Sequence, residues 1–296
     1  MSILVDEKTR VVVQGLTGYQ ARFDSKHCLE YGTKIVGGVV PGRDGEQVLG
    51  LPLFSTMADA VAKTGANTSV VYVPARGAMD AILEAAYAGI RLVLVITEKI
   101  PYADFSRAYH IARRLGTRIM GPNSNGIISP GKSRIGILGN DPRFFMPGPV
   151  GIISRSGGMN HELGNLLTRA GIGQSTCLSI GGDPMVGSTI REMLELFEKD
   201  EETELVVLYC EPGGRMEEDA ADLIRSDGFT KPVIACVSGV FMEEMPEGIP
   251  FGHAGAIIEG GVGRPTKKKE ILAKAGVHVM ERISDIPMKI KELLGQ

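Results

Sequence analysis

Cysteine is scarce and scattered: Cys28, Cys177, Cys210 and Cys236 lie far apart with no Cys-x-x-Cys pair, which argues against a zinc ribbon and a disulfide framework. Three of them, Cys177, Cys210 and Cys236, fall in or beside apolar stretches, where a free thiol acts as a small buried hydrophobe in a reducing compartment. Basic charge is not in excess. The formal net charge is -3 with acids and bases interspersed, so neither a nucleic acid duplex nor an anionic membrane is an expected partner. Lys267-Lys268-Lys269 is the one basic run, and its helix-forming surroundings read as a solvated helical face. Long hydrophobic runs are missing too, since segments such as Leu92 to Ile96 are far too short to span a bilayer. Met1-Ser2-Ile3-Leu4-Val5-Asp6 turns acidic without a basic flank and signal-length apolar core, so export is not expected and a cytoplasmic location is.

What remains is an ordinary soluble composition, 43% hydrophobic and 23% charged, that leaves no room for a long disordered region. A chain of 296 residues is long for one domain and comfortable for two. Short Val- and Ile-rich segments predict strands buried on both faces at Val11 to Gln14, Ile35 to Val40, Ser69 to Val73, Leu92 to Ile96 and Ile119 to Met120. Between them, Met57 to Lys63 and Ala78 to Ala88 repeat Ala, Leu and Ile at helical spacing. This is an α/β, doubly wound pattern. From Asn123 to Pro149, Pro130, Gly131, Gly139, Pro142, Pro147 and Gly148 are expected to break regular structure, giving domains over 1–125 and 150–296 with a linker over 126–149. Beyond it the alternation resumes, with strands at Gly151 to Ser154, Cys177 to Ile180, Leu205 to Cys210, Val233 to Val237 and Val277 to Met280. Helices are predicted at Asn160 to Arg169, Ser188 to Lys199, Met216 to Arg225, Lys267 to Ala275 and from Asp285 onward.

Glycine-rich turns after these strands carry the candidate chemistry. Gln14-Gly15-Leu16-Thr17-Gly18-Tyr19-Gln20 follows the first strand and leads into a helix whose first N–H groups can face a phosphate. It falls short of Gly-x-Gly-x-x-Gly, and no acid closes the second strand where an NAD ribose would want one. Arg43 stands there instead, either as a partner for a phosphorylated ribose or pyrophosphate or as a solvated loop cation. Ser154-Arg155-Ser156-Gly157-Gly158-Met159-Asn160-His161-Glu162 repeats the strand, turn and helix logic, so an anion is expected at its glycines. Arg155 there pairs with a carboxylate or phosphate or forms a structural ion pair, and the absence of Gly-x-Ser-x-Gly argues against a hydrolase elbow. His161 falls on the first helical turn, facing the anion site or another subunit.

Ile180-Gly181-Gly182-Asp183-Pro184 and Glu211-Pro212-Gly213-Gly214 also follow strands, at the carboxyl edge where parallel sheets bind ligands. Glu211 either accepts an imidazole N–H or is a surface carboxylate near a helix start, and Glu98 after Ile96-Thr97 is the same kind of candidate. Gly252-His253-Ala254-Gly255-Ala256 sets one of only five histidines among residues with almost no side chain, which leaves room for a phosphoryl group on the ring. His27, His110 and His278 lack partners at ligand spacing, and no metal site is expected.

These segments, with Val36-Gly37-Gly38-Val39, Val73-Pro74 and Gly121-Pro122-Asn123, resemble in order and nearly end to end the CoA-binding (alpha) subunit of the succinyl-CoA synthetase family. The resemblance implies a Rossmann-like CoA-binding domain followed by a flavodoxin-like ligase domain. It further implies transient phosphorylation of His253, with Glu211 and Glu98 as carboxylate partners. CoA would be held by Thr17, Gly18, Tyr19, Gln20, Arg43, Pro74, Ile96, Thr97, Glu98 and Asn123. Phosphate and the acid would lie at Ser154, Arg155, Ser156, Gly157, Gly158, Asn160, His161, Gly181 and Gly182. Where succinate enzymes of the family read Ser-Gly-Thr-Leu-Thr-Tyr-Glu, this chain reads Ser156-Gly157-Gly158-Met159-Asn160-His161-Glu162, a stretch similar to ATP-citrate lyase. It lacks a citrate-synthase-like extension after Gln296, so it resembles the small subunit of the citryl-CoA synthetase branch, with citrate as the expected acid and succinate or malate as alternatives. No ATP-grasp or Walker segment is present, so ATP-Mg is expected on a larger partner subunit in a heterodimer or heterotetramer. Departures at Arg43, at Asn123-Ser124-Asn125-Gly126 and at Glu211-Pro212 touch CoA placement and leave every charged catalytic group. A CoA-binding regulator without catalysis is the competing class.

Overall fold

A computed structural model describes residues 2–295. The first part of the chain runs β1 (Arg10–Gln14), α1 (Tyr19–Glu30), β2 (Lys34–Val39), β3 (Gln47–Val48), β4 (Leu51–Phe54), α2 (Met57–Thr64), β5 (Thr68–Val71), α3 (Ala75–Tyr87), β6 (Leu92–Val95), α4 (Tyr102–Arg114) and β7 (Arg118–Met120). The strands form a seven-stranded sheet of order β3-β4-β2-β1-β5-β6-β7, parallel except for the β3–β4 pair at its edge. Helices cover both faces, so β5 and β6 are buried at every position, which is why they read as continuous apolar or small runs. Local signals set the helix ends. Thr56 accepts from the Asp59 N–H to open α2, and Gly65 closes it with φ of 65°. β3 and β4 were not among the predicted strands, because they are only two and four residues long and Pro52, the second residue of β4, breaks the apolar run.

The second part runs β8 (Gly126–Ser129), β9 (Ser133–Gly136), β10 (Pro147–Ser154), α5 (Gly157–Arg169), β11 (Gln174–Ser179), α6 (Ile190–Glu198), β12 (Leu205–Cys210), α7 (Met216–Arg225), β13 (Val233–Val237), α8 (Pro265–Lys274), β14 (His278–Met280) and α9 (Ile286–Leu294). Its sheet has the order β14-β13-β12-β10-β11-β8-β9. Here the expected irregular linker is corrected. Residues 126–136 form a hairpin whose β8 pairs antiparallel with β11. Pro130 and Gly131, taken as breakers, are the middle of its turn: Gly131 has φ of 78°, and the Lys132 N–H donates to the Ser129 carbonyl at 3.0 Å. The expected solvated face at Lys267 to Lys269 is also corrected, since Lys268 is fully buried.

The two sheets share part of their core. A single cluster of buried residues runs from Ile35 and Leu94 through Ile127 to Ile153 and Leu178. Thr33 and Arg134 seal the seam by exchanging bonds, Oγ1–H to carbonyl at 2.7 Å and N–H to Oγ1 at 3.1 Å. All four cysteines are free and buried, and burial pushes the Cys28 thiol up to about 11. Among the described residues no helix is long and apolar enough to cross a membrane.

Candidate active site

The carboxyl edges of the two sheets face each other, and loops from both meet there. The Gly121 N–H donates to the Ile180 carbonyl at 3.1 Å, the Gly182 N–H to the Asn123 carbonyl at 3.3 Å, and the Lys99 N–H to Asp183 Oδ2 at 3.2 Å. The loops that follow β6, β7 and β11 are thereby joined into one floor.

His253 lies on this floor, in the loop between β13 and α8. The Gly255 N–H pins that loop to the Gly182 carbonyl at 2.9 Å. The imidazole rests flat against Gly182, where a Cβ would come within 2.3 Å of the ring Cδ2, so any side chain at 182 would displace it. From the end of β12, buried Glu211 takes the Nδ1 hydrogen bond through Oε2 at 2.7 Å. That bond raises the His253 pKa above its ordinary value of 6.5, against the opposing effect of burial. Glu211's charge and Asp183 also raise it, while Arg155 lowers it. With Nδ1–H committed to Glu211, the lone pair of the neutral ring sits on Nε2, the nitrogen of a nucleophile.

Arg155 backs this pair from below. Its side chain is buried, and its Nη1 donates to the Pro212 and Gly213 carbonyls at 3.3 and 3.4 Å. Gly255 has to lack a side chain here, because a Cβ would stand 2.7 Å from Nη2. Beside the His253 loop a cleft of about 580 Å³ opens, lined by Arg155, Met185, Arg215, Gly255 and Glu259 among others.

Two helix starts point at the floor. At α5, Ser156 opens the helix by accepting from the Met159 N–H at 3.4 Å, and Ser154 holds Ser156 by bonds to its N–H and carbonyl. The first N–H groups, those of Gly157 and Gly158, have no acceptor within the helix, and no acid stands in the first turn. Asn160 on that turn is fully buried, and neither of its amide atoms has a partner among the described residues. Arg155 Nε, Ser179 Oγ and Asp183 Oδ1 are buried and unpartnered as well. Such a group of orphaned polar atoms around one anion-favouring helix end suits a polar ligand. At α1 the start is Gly18, with no side-chain cap and no first-turn acid, and Thr17 to Gln20 border solvent.

The structure does not bring every expected residue together. Glu98 is not at the imidazole: it is half exposed, pairs with the Lys99 ammonium at 3.1 Å, and acts instead as a like charge on Asp183. The backbone turns at Lys99, with φ of 58°, and it is the Lys99 N–H that reaches across to Asp183. Asp183 is therefore the second carboxylate near His253. Burial raises its pKa, while bonds from Asn123 and the Lys99 N–H lower it. Its place directly after Gly181-Gly182 was the signal for it. His161 offers no free nitrogen: Nε2 accepts from the Gly139 N–H at 3.1 Å and Nδ1 bonds the Gly157 carbonyl at 3.1 Å. Burial lowers its pKa. Gln20 donates to Asp24, Thr97 to the Val73 carbonyl, and Arg43 forms an exposed pair with Glu46 at 2.5 and 2.6 Å. Pro74 immediately precedes α3, and Ile96 packs on the edge of the shared core.

The family model for a CoA binding domain matches residues 6–99, and that for CoA-ligase matches residues 153–279. The alpha 1 and alpha 2 subunits of the ADP-forming succinate–CoA ligase of Archaeoglobus fulgidus are 47% and 48% identical to it, over 99% and 100% of this chain and 99% of each relative. The chain belongs to the succinate–CoA ligase alpha-subunit family. Another such alpha subunit, from Aquifex aeolicus, is 45% identical over 100% of this chain and 94% of its own length. Among solved structures, ATP citrate lyase from Methanothrix soehngenii, in complex with citrate and coenzyme A, superposes with a TM-score of 0.90 at 25% identity. The match covers 99% of this alpha-family chain and 50% of the lyase chain, so the chain spans about half of that protein's length. Methanosaeta concilii ATP citrate lyase, in complex with (3S)-citryl-CoA, gives 0.89 at 26% identity over the same shares.

Proposed function

We propose that this chain is the CoA-binding, phosphohistidine-bearing subunit of a cytoplasmic ADP-forming ligase that joins citrate to CoA. The observation that carries the chemistry is the His253 Nδ1–Glu211 bond, which directs the lone pair of the ring to Nε2. A free carboxylate is a poor electrophile and has to be activated before a thiol can displace oxygen from it. In the first step Nε2 attacks the γ-phosphorus of ATP, the bond to the β-phosphate oxygen breaks, and ADP leaves. A citrate carboxylate oxygen then takes the phosphoryl group from Nε2, giving an acyl phosphate and the free imidazole. Finally the CoA sulfur attacks the acyl carbon and phosphate departs, with the thiol proton passing to phosphate or water. The open N–H groups at Gly157 and Gly158 suit the charge that develops on the moving phosphoryl oxygens. ATP and its magnesium belong on a larger, ATP-grasp subunit that docks over His253 to form a heterodimer or heterotetramer.

CoA suits the first sheet. The α1 start at Gly18 and the turn at Thr17 to Gln20 lie at the centre of the sheet, where ligands of open parallel sheets bind, and Arg43, once released from Glu46, is a cation for a phosphate. Citrate is supported by Gly158, which puts no side chain at the helix start, and by the unpartnered amide of Asn160, which suits an acid with three carboxylates and a hydroxyl. The lyase structures in complex with citrate and citryl-CoA share the fold of the whole chain. Succinate is the second reading, favoured by the naming of relatives at 47% and 48% identity.

The test uses the enzyme assembled with its large subunit. Acid-dependent ADP release and thioester formation are measured with citrate, succinate and malate. The highest kcat/KM is expected with citrate, and a preference for succinate would replace the first reading by the second. His253→Asn is expected to abolish both labelling by γ-phosphate-labelled ATP and thioester synthesis; undiminished synthesis would end the phosphohistidine reading.

A further inference from the structure

One ion pair in this molecule is fully shielded from water and takes no part in the chemistry just described. Lys268 on α8 and Glu217 on the first turn of α7 both have side chains 0% exposed. The ammonium donates to Glu217 Oε2 and, at 2.9 Å, to the carbonyl of Gly213. Glu218 stands 3.7 Å from it on its outer side. A buried ion pair gains little stability over apolar side chains of similar volume, because desolvating both charges offsets most of their attraction. What the pair holds explains it better.

Gly213 is the junction of the site. It lies two residues beyond Glu211, and its carbonyl also accepts from Arg155. Its own N–H donates to the Gly263 carbonyl at 3.0 Å. Gly213 has φ of 88°, and a Cβ there would stand 2.2 Å from the Gly255 carbonyl and 2.8 Å from the Ile257 nitrogen, so this turn is packed directly on the His253 loop. The ammonium thus ties α7, α8 and the 211–214 turn together at the atom that Arg155 also grips.

We propose that Lys268 and Glu217 are positioning residues, a buried clamp on the Gly213 carbonyl that holds Glu211 and Arg155 in register with His253. Neither touches substrate. They act through the turn: with the clamp released, Gly213 and Arg155 are free to shift, and the Nδ1–Glu211 bond loses its fixed geometry. The proposal rests on the phosphohistidine reading only for its kinetic consequence, whereas the geometric one concerns the His253–Glu211 pair alone.

The decisive variant is the double substitution Glu217→Gln with Lys268→Met, which removes both fully buried charges together and leaves only Glu218, whose side chain is 15% exposed, without its cation. It is expected to fold, because it also removes the desolvation cost, and Lys268→Met alone serves as the control with an orphaned carboxylate. Two measurements follow on the full chain and its complex. The His253 ring is titrated by NMR; Arg155, Asp183 and Glu211, the charges that act on it, are unchanged in identity, so a fall toward the ordinary 6.5 reports a weakened Glu211 bond and a further rise reports withdrawal of Arg155. Phosphorylation of His253 by ATP in the complex is expected to slow by about tenfold or more, with KM for CoA within about twofold. A double variant whose His253 titrates as in the parent and whose phosphorylation rate is unchanged would overturn the clamp. Were the parent itself to take up no phosphate at His253, the functional reading would fall, and the titration would still decide the clamp.

Discussion

Two strand-to-helix turns, at β1–α1 and at β10–α5, use the same physics for different ends. Both follow a central parallel strand, both begin a helix without an acid in its first turn, and both present N–H groups to whatever lies before them. They differ in their surroundings. The first is open: Gly18, Tyr19 and Gln20 are exposed, Tyr19 to 76%, and a Cβ on Gly18 would meet nothing nearer than the Gly15 carbonyl at 3.3 Å. The second is crowded except at Gly158, which is exposed: Arg155, Gly157 and Asn160 are buried, and a Cβ on Gly157 would fall 1.9 Å from Asn125 Cγ and 2.4 Å from its Cβ. An open helix end suits a large ligand that arrives from and returns to solvent. A crowded one suits a small group in transfer, because excluding water strengthens the electrostatics and keeps a reactive acyl phosphate from hydrolysis.

The sharpest way to break this contrast is to add one methyl group at each turn. Gly157→Ala forces Asn125 and the helix start apart, at about 1 to 3 kcal/mol of overpacking, and is expected to slow phosphoryl transfer about a hundredfold with a lowered Tm. Gly18→Ala is expected to leave Tm and His253 phosphorylation within experimental scatter and to raise only KM for CoA. Equal damage at both positions would remove the distinction. Calorimetry and labelling with radioactive ATP read both effects.

A middle-sized effect is expected from Glu211→Gln. The folded pKa of His253 is raised, so the ring stays protonated, and unable to attack phosphorus, to a pH above 6.5; transfer should rise with pH through that raised value. In the variant the rising limb moves to lower pH, while the plateau falls on the order of tenfold through loss of ring orientation. The stability linkage has the matching sign. The Glu211 bond contributes stability that is fully present below the unfolded pKa and lost as pH rises through the folded one, so the variant's Tm deficit should shrink with rising pH. A limb that does not move would detach Glu211 from the ring's titration.

The smallest effect belongs to Arg43→Ala. Its guanidinium is exposed and occupied by Glu46, and surface pairs contribute little, so Tm should be unchanged and KM for CoA should rise by less than about tenfold. A change in His253 phosphorylation would mean that the two turns are coupled.

Much of this architecture was legible in the chain. Strands such as Leu205–Cys210 and Val233–Val237 were predicted to the residue, because a strand buried on both faces leaves an uninterrupted apolar run. The β8–β9 hairpin was not, since four-residue strands around Pro130-Gly131 look like loop when glycine and proline are read only as breakers. The glycine turns and His253 were legible because small residues around one reactive side chain form a local pattern. Asp183, Asn125 and Lys268 were missed as parts of the site for the opposite reason. Each acts on a partner far away in sequence: Asp183 on Lys99 and His253, Asn125 under Gly157, Lys268 on Gly213 and Glu217. Lys268 shows the limit most plainly, for a basic triplet on a helix carries no mark of which ammonium turns inward.

By itself the sequence determined the alternation of strands and helices, the glycine turns that end the strands, and the place of the one histidine set among small neighbours. These follow from hydrophobic period and backbone freedom, which are properties of short segments. Tertiary structure alone decided which carboxylate meets the imidazole, choosing Glu211 and leaving Glu98 with Lys99, and which lysine is buried. Those outcomes depend on how two sheets meet edge to edge, and a displacement of a few ångströms there decides whether two charges share a hydrogen bond or face solvent.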